Sequence, residues 1–246
     1  MSAIETPPMT LAFDLQEALR HLSDRDEILK ALIAELRAFA IDAEAGQSPY
    51  DVLLEAIVYQ SISGKAAATI YSRIKALGEN DRPPTPEKML KIPAAKLRKA
   101  GLSGAKVLAM KDLAKKAVAG IVPTHEEALK LSDEELVERL DSVRGIGAWT
   151  VEMFLIFRLG RPDVLPIHDL GVKKGWSVAY GQKHMPKPQE LLKFGERWRP
   201  YRTVASWYMW RAFERAGYRV TNKIRPKPIR KKKTKTARNR ATGKRK

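Results

Sequence analysis

Cysteine is absent from this chain of 246 residues. Its absence excludes disulfides, thiolate zinc sites and cysteine-held iron–sulfur clusters. No run approaches the ~20 apolar residues that a membrane-spanning helix needs. The N-terminal residues also lack the basic and then apolar pattern of a secretory leader. We therefore expect a soluble, cytoplasmic protein without a membrane partner.

Strand patterns are also scarce. Apolar and polar residues alternate only in a short stretch at 163–167, whereas apolar residues recur at helical spacing along most of the chain. We therefore predict an all-α fold, in which Ser23 or Asp24 caps the second helix. The predicted helices cover residues 11–22, 25–41, 50–63, 65–77, 86–91, 93–100, 105–119, 148–159, 170–180 and 188–198, with one more after a capping box at Ser132 and a last one opened by Pro200. A solvated face of the 105–119 helix is predicted to hold Lys106, Lys111, Lys115 and Lys116.

Acidic residues are too few to balance the basic ones. The chain has 46 Lys and Arg against 28 Asp and Glu, a formal net charge of +18, which suggests a polyanionic partner. Residues 223–246 hold 13 of the basic residues and no acidic one. We therefore predict a folded domain at 1–222 and a basic disordered tail at 223–246. The tail would add sequence-independent DNA affinity through counterion release, or it would only aid solubility.

The most informative stretch is 136–171, where a short helix, a Gly145-Ile-Gly147 reversal and an apolar helix follow one another. The two glycines permit a tight turn. They leave the amides of Gly147, Ala148 and Trp149 unpaired at a helix N-terminus, which favours an anion such as a phosphate. The turn alone is equally consistent with a purely structural hairpin. After it, an extended Val-Leu-Pro-Ile run brings Asp169 to the start of the next helix.

The hairpin and the Pro-x-x-Asp-Leu-Gly segment together resemble the helix-hairpin-helix superfamily of DNA glycosylases, and more narrowly the 3-methyladenine DNA glycosylase II type. The resemblance covers about residues 25–217 and implies two helical lobes with a cleft between them. The matching positions are Val143, Gly145, Gly147, Trp149, Thr150, Pro166, Asp169, Leu170 and Gly171.

The resemblance implies that Asp169 is the catalytic residue. Positive charge grows on the sugar as an N-glycosidic bond stretches, so a fixed carboxylate stabilises the transition state more than the ground state. As a helix N-cap, Asp169 is expected to accept bonds from the amides of residues 171 and 172. The local sequence alone favours a plain helix cap, and it is the position after the hairpin that favours catalysis.

Trp149 predicts the reaction type. In the lyase branches of the superfamily this position holds a lysine that forms a Schiff base with the sugar. Tryptophan has no nucleophilic amine, so we expect direct hydrolysis that leaves an abasic site without cutting the strand.

The resemblance implies a base pocket around Trp210, the family's base-stacking tryptophan. An alkylated base is cationic and stacks on an indole with roughly 0.5–2 kcal/mol of cation–π energy. An aromatic helix face is more often core, and we interpret Trp207 and Phe213 in that way. The other predicted pocket residues are Trp149, Met153 and Tyr59.

The segment that starts Gln60-Ser-Ile-Ser resembles the glycosylase loop that enters the minor groove, in which side chains fill the space of the extruded base. A plain corner between two helices is the alternative. Gln60, Ser61 and Ser63 are the residues predicted to act there. The other predicted DNA contacts are Arg144, Gly145, Gly147, Ala148, Thr150, His168 and Lys173.

The resemblance also implies a structural monovalent cation at the hairpin, held by the main-chain carbonyls of Asp141, Val143 and Gly145, and no other cofactor. The leading hypothesis is a monomeric, nucleoid-associated, monofunctional DNA glycosylase. It would flip alkylated purines out of duplex DNA and release them by hydrolysis in base excision repair. The alternatives are a glycosylase for deaminated or oxidised bases, and a non-catalytic helix-hairpin-helix DNA-binding protein.

Overall fold

Helices form all the regular secondary structure in residues 11–36, 38–41 and 47–217, the part that the computed structural model describes. The predicted all-α fold is confirmed, and the 163–167 stretch forms no strand. The predicted tail, 223–246, lies outside the described residues. The helices are α1 Leu15–Arg25, α2 Glu27–Glu35, α3 Pro49–Tyr59, α4 Gly64–Lys75, α5 Pro86–Lys91, α6 Ala94–Lys99, α7 Gly104–Val118, α8 His125–Lys130, α9 Asp133–Asp141, α10 Ala148–Phe157, α11 Leu170–Ala179, α12 Pro188–Gly195 and α13 Arg202–Arg215.

Several predicted helix ends were wrong for identifiable reasons. Helix α2 stops at Glu35, but the apolar pattern continues because Phe39 remains buried, with its ring centroid 5.4 Å from that of Trp207. Helix α3 stops at Tyr59, since Ser61 adopts a left-handed backbone with φ of 57°. Within the described parts of the chain, each helix is too short or too polar to span a lipid bilayer.

Two groups of helices divide the described chain. In one group, α3, α5 and α6 pack on α7, while α10 packs on α3 and α9. In the other, α1, α2 and α11 pack on α13. The first two helices therefore join the last ones, and the middle of the chain forms a lobe of its own. This arrangement confirms the predicted two-lobed fold.

Asp26 links the start of α2 to two residues from the later part of the described chain. It is the N-cap of α2, so the prediction of Ser23 or Asp24 was wrong. Its Oδ2 accepts from Tyr180 Oη at 2.5 Å and from Trp198 Nε1 at 3.0 Å. These partners lie more than 150 positions away in the sequence, so rules based on neighbouring residues do not predict them.

The prediction that the lysines of α7 form a solvated face is wrong for Lys106 and Lys111, which bond to other helices. Lys106 Nζ donates to the carbonyls of Val58 and Gln60, each at 2.7 Å, at the end of α3. Lys111 Nζ donates to three carbonyls at the end of α5. The last carbonyls of a helix have no intrahelical donor, so these ammonium groups satisfy them and fix both helices to α7.

Candidate active site

The segment before Asp169 is held on the N-terminal end of α13. Thr203 Oγ1 donates to the carbonyl of Arg161 at 2.6 Å and accepts from Val164 N at 3.0 Å. Arg202 donates through Nε to Asp163 Oδ1 at 2.7 Å and through a terminal nitrogen to Oδ2 at 3.0 Å. This bidentate and largely buried ion pair restricts the geometry of the segment that leads to Asp169. The extended run therefore leads to Asp169 along a fixed path.

Asp169 caps α11 and accepts three N–H bonds. Val172 N lies 2.7 Å from Oδ1, and Trp210 Nε1 lies 2.8 Å from the same oxygen. Trp149 Nε1 lies 2.8 Å from Oδ2. Each carboxylate oxygen accepts about two bonds, so Oδ1 is filled and Oδ2 retains one acceptor site. The residue is 7% exposed, which shields its charge from bulk water.

The two tryptophans come from different lobes. Trp149 is the second residue of α10, whereas Trp210 lies on α13. Asp169 therefore sits where the lobes meet, beside donors rather than in packed hydrocarbon. The amide of Val172 donates as expected, but no bond from the amide of residue 171 is observed, and an indole N–H donates to that oxygen instead.

Trp210 is 2% exposed, and Phe157 and Gly171 lie close to its ring. It stacks on Phe157 with ring centroids 5.5 Å apart and an interplanar angle of 26°. Gly171, at the start of α11 in the same lobe, approaches it so closely that a Cβ there would lie 2.7 Å from Trp210 Cδ1 and 3.1 Å from Asp169 Oδ1. Gly171 is thus required for the indole to reach the carboxylate.

Glu152 is a second carboxyl group at this site, and sequence reasoning missed it. It lies one helical turn after Trp149, so the two side chains share a face of α10. Burial, and then the negative charge of Asp169, raise the pKa of Glu152 to about 7. A signal was available, because Glu152 is the one charged residue between Ala148 and Phe157.

The hairpin turn joins α9 and α10 as predicted. Gly145 has a φ of +80°, a left-handed backbone that favours glycine. No side chain caps α10. Within the described residues, the amides of Gly147, Ala148 and Trp149 donate to no protein acceptor. An N-terminus with free amides and the helix dipole behind them is suited to an anion.

The predicted groove loop touches the hairpin directly. Gln60 Nε2 donates to the carbonyl of Gly145 at 2.8 Å. Ser61 is exposed and has a φ of 57°, while Ser63 caps α4 by accepting from Ala66 N. The structure thus brings together two elements that lie 85 positions apart in the sequence.

The remaining predicted DNA contacts differ in exposure. Arg144 and His168 are exposed and Lys173 is half-buried. Arg144 also donates its amide to Asp112 Oδ2 at 2.8 Å, which anchors the turn on α7. Thr150 is buried, and its amide donates to the carbonyl of Gly147. It therefore supports the turn from beneath and does not offer that amide to a phosphate.

Three predicted pocket residues are less open than their role suggests, and Trp210 is only 2% exposed. Met153 is 1% exposed and belongs to the core. Tyr59 is half-buried at the end of α3, and its ring makes a T-shaped contact with that of Tyr71. Met153 and Tyr59 remain candidates for a pocket wall, and neither bonds to Asp169.

The carbonyls assigned to a structural cation fit such an ion by their chemistry. Val143 O accepts from Ile146 N at 3.0 Å, and Gly145 O accepts from Gln60 Nε2. A carbonyl oxygen has two lone pairs, so each retains one acceptor site, and neutral oxygens suit a hard cation. In the described ranges no three His, Cys, Asp or Glu side chains cluster in a way that would hold a metal ion.

Comparison with known proteins identifies the family. Over residues 54–200 the chain matches the family described as HhH-GPD superfamily base excision DNA repair protein. This chain belongs to the HhH-GPD superfamily. Its sequence is 38% identical over 214 residues to DNA-3-methyladenine glycosylase 1 of Schizosaccharomyces pombe, an alignment that covers 87% of this chain and 93% of that protein.

Solved structures agree with the HhH-GPD assignment. The Schizosaccharomyces pombe 3-methyladenine DNA glycosylase Mag1, in complex with abasic DNA, gives a TM-score of 0.71 at 38% identity, covering 82% of this chain and 99% of that one. DNA-3-methyladenine glycosidase from Bacillus halodurans gives 0.75 at 30% identity, covering 81% and 90%. The resemblance to helix-hairpin-helix glycosylases is confirmed, and the HhH-GPD chain is a base excision DNA repair protein.

Proposed function

We propose that this chain is a monofunctional DNA glycosylase of the 3-methyladenine II type, which excises alkylated purines from duplex DNA. One observation carries the proposal: a shielded carboxylate, Asp169, is fixed by three donors at the junction of the two lobes, with one acceptor site left on Oδ2. The names of the similar proteins, which include 3-methyladenine glycosylases, support alkylated bases as the substrate class.

Asp169 acts electrostatically in the proposed mechanism. As the bond between C1′ and the base nitrogen stretches, positive charge develops on the sugar, and the nearby carboxylate stabilises it. Such preorganised groups contribute about 100- to 1,000-fold in rate each. The free acceptor site of Oδ2 orients the water that attacks C1′. The electron pair of the broken bond leaves with the base, and an alkylated, cationic base thereby departs neutral.

Hydrolysis without strand cleavage follows from Trp149. A lyase needs an amine that attacks C1′ and forms a Schiff base. Here the indole N–H of Trp149 instead donates to Asp169 Oδ2 at 2.8 Å. The side chain that takes the lysine's position therefore holds the acid in place, and the product is an intact strand with an abasic site.

DNA binding is assigned to the hairpin, the Gln60–Ser63 loop and the tail. The free amides at the start of α10 take a phosphate, while Arg144, His168 and Lys173 add positive charge. The carbonyls of the hairpin hold a structural cation that shapes the turn and takes no part in the chemistry. Because one chain supplies the acid, the hairpin and the loop, residues 1–222 work as a monomer on chromosomal DNA.

The test uses defined duplexes that carry 7-methylguanine or 3-methyladenine. We expect single-turnover release of the free base, with strand breaks appearing only after the abasic site is cleaved by alkali. Strand breaks before alkali treatment would contradict the hydrolytic mechanism. Tight duplex binding without any base release would instead favour a non-catalytic DNA-binding protein.

A further inference from the structure

The two carboxyl groups of the site have opposite surroundings. Asp169 accepts three N–H bonds. Glu152 is half-buried, and its Oε2 is sealed from solvent without a hydrogen-bond partner among the described residues. A buried carboxyl oxygen without a donor is rare and needs an explanation, of which a catalytic role is one.

The position of Glu152 relates it to the reacting acid. It follows Trp149 by three residues on α10, and Trp149 is bonded to Asp169 Oδ2. Burial, and then the negative charge of Asp169, disfavour a negative charge on Glu152. Two carboxyl groups with opposed environments can divide the roles of electrostatic stabiliser and proton donor.

A proton matters to some substrates of such a site and not to others. A purine alkylated at a ring nitrogen already carries positive charge, so it leaves as a neutral molecule when its glycosidic bond breaks. A neutral lesion such as hypoxanthine or ethenoadenine would leave as an anion unless it receives a proton. General acids contribute about 100- to 10,000-fold to such steps.

We propose that Glu152 is the proton donor when this site releases a neutral damaged purine. The inference rests on the proposed glycosylase function and adds a further catalytic residue to it. The Glu152 carboxyl gives its proton to a ring nitrogen of the base while the C1′–N bond breaks and its electron pair passes to the base. Water then adds to C1′ and loses a proton to solvent. Glu152, left as a carboxylate, regains a proton from solvent, so the net reaction is hydrolysis.

The pH dependence follows from the same geometry. The pKa of Glu152 is raised to about 7 by burial and then by Asp169, and its Oε2 has no hydrogen-bond partner among the described residues. The proton donor is therefore present below about pH 7 and lost above it. Release of a neutral base should fall as pH rises through that value, while release of a cationic base needs no such proton.

The test compares two duplexes, one with hypoxanthine and one with 7-methylguanine, cleaved by the parent and by Glu152→Gln. Glutamine keeps the shape of the side chain and has no acidic proton. We expect hypoxanthine release to fall at least 100-fold at pH 6, and far more than 7-methylguanine release, so that the ratio of the two rates changes at least 30-fold. The variant should also lose the decline of hypoxanthine release above pH 7.

A second measurement reports on Glu152 without catalysis. In the unfolded chain its pKa is the ordinary 4.5, and in the folded protein it is about 7. The folded state thus binds more protons between these values, so the parent loses stability as pH rises through them. The melting temperature of Glu152→Gln relative to the parent should therefore rise between pH 5 and pH 8.

Each outcome bears on one proposal. Equal losses for both bases, or no loss for either, would overturn the proton-donor role while leaving the glycosylase function intact. A parent that releases 7-methylguanine but no neutral base would overturn it as well. A parent that releases neither base, although it binds the duplex, would contradict the proposed function itself.

Discussion

Gly171→Ala should uncouple DNA binding from base release. A Cβ at position 171 would lie 2.7 Å from Trp210 Cδ1 and 3.0 Å from Trp210 Nε1. Ordinary contacts begin at 3.4 Å, so the edge of the indole must move by about 0.7 Å, enough to break a hydrogen bond of normal length. The bond at risk is the one from Trp210 Nε1 to Asp169 Oδ1, now 2.8 Å.

The expected effect can be bounded from that bond. A hydrogen bond to a charged group contributes about 1.5–3 kcal/mol, and a reacting group displaced by about 1 Å loses on the order of 100-fold in rate. We therefore expect single-turnover release of 7-methylguanine to fall about 10- to 100-fold. Affinity for an abasic duplex should stay within about 3-fold, because the hairpin and the groove loop are unaffected.

Gly104→Ala is the matched control. Gly104 also lies in the first turn of a helix, and a Cβ there meets nothing within 4 Å. The control should retain the parental rate and gain up to about 1 kcal/mol in stability, as expected for glycine replaced by alanine in a helix. If Gly171→Ala kept the full rate, or lost binding and rate in parallel, the indole–carboxylate bond would not position the acid.

Two further predictions concern α7 and the tail. Lys106→Met keeps the length of the side chain but removes the two bonds to the carbonyls of Val58 and Gln60. It should lower the free energy of unfolding by about 1–3 kcal/mol in urea titrations, whereas the exposed Lys115→Met should change it by less than about 0.5 kcal/mol; equal effects would show that Lys106 holds nothing. Deletion of 223–246, which removes 13 basic residues, should weaken DNA binding and flatten its salt dependence without slowing turnover at saturating enzyme. Unchanged affinity would refute a DNA-binding role for the tail.

Local patterns predicted the parts of the molecule that depend on neighbouring residues. The capping box at Ser132, the left-handed turn at Gly145 and the N-cap position of Asp169 all follow from residues within a few positions of one another. Apolar spacing predicted the all-α fold, since each helix needs one face against the core. The interpretation of Trp207 as a core residue is confirmed by its 3% exposure.

Contacts between distant segments could not be predicted from local patterns. The sequence indicated that Trp149 stands where lyases have a lysine. Its hydrogen bond to Asp169 spans 20 positions and depends on how the lobes meet, so it was not predicted. Asp26, rather than an earlier residue, caps α2. Its side chain is held there by Tyr180 and Trp198, which lie more than 150 positions later in the sequence. Glu152 was overlooked because a single acid in an apolar helix has no periodicity to reveal it.

Asp169→Asn tests the central claim most directly. Asparagine keeps the size of the side chain and removes the negative charge, while Trp149→Phe serves as the control that breaks one bond to the carboxylate and keeps its charge. The measurement is single-turnover release of 7-methylguanine, with affinity for an abasic duplex measured in parallel. We predict that the release rate of Asp169→Asn falls about 100- to 1,000-fold, well below that of Trp149→Phe, with affinity retained. Release by Asp169→Asn within about 10-fold of the parent would contradict the account, because the charge at C1′ would then not be the source of catalysis.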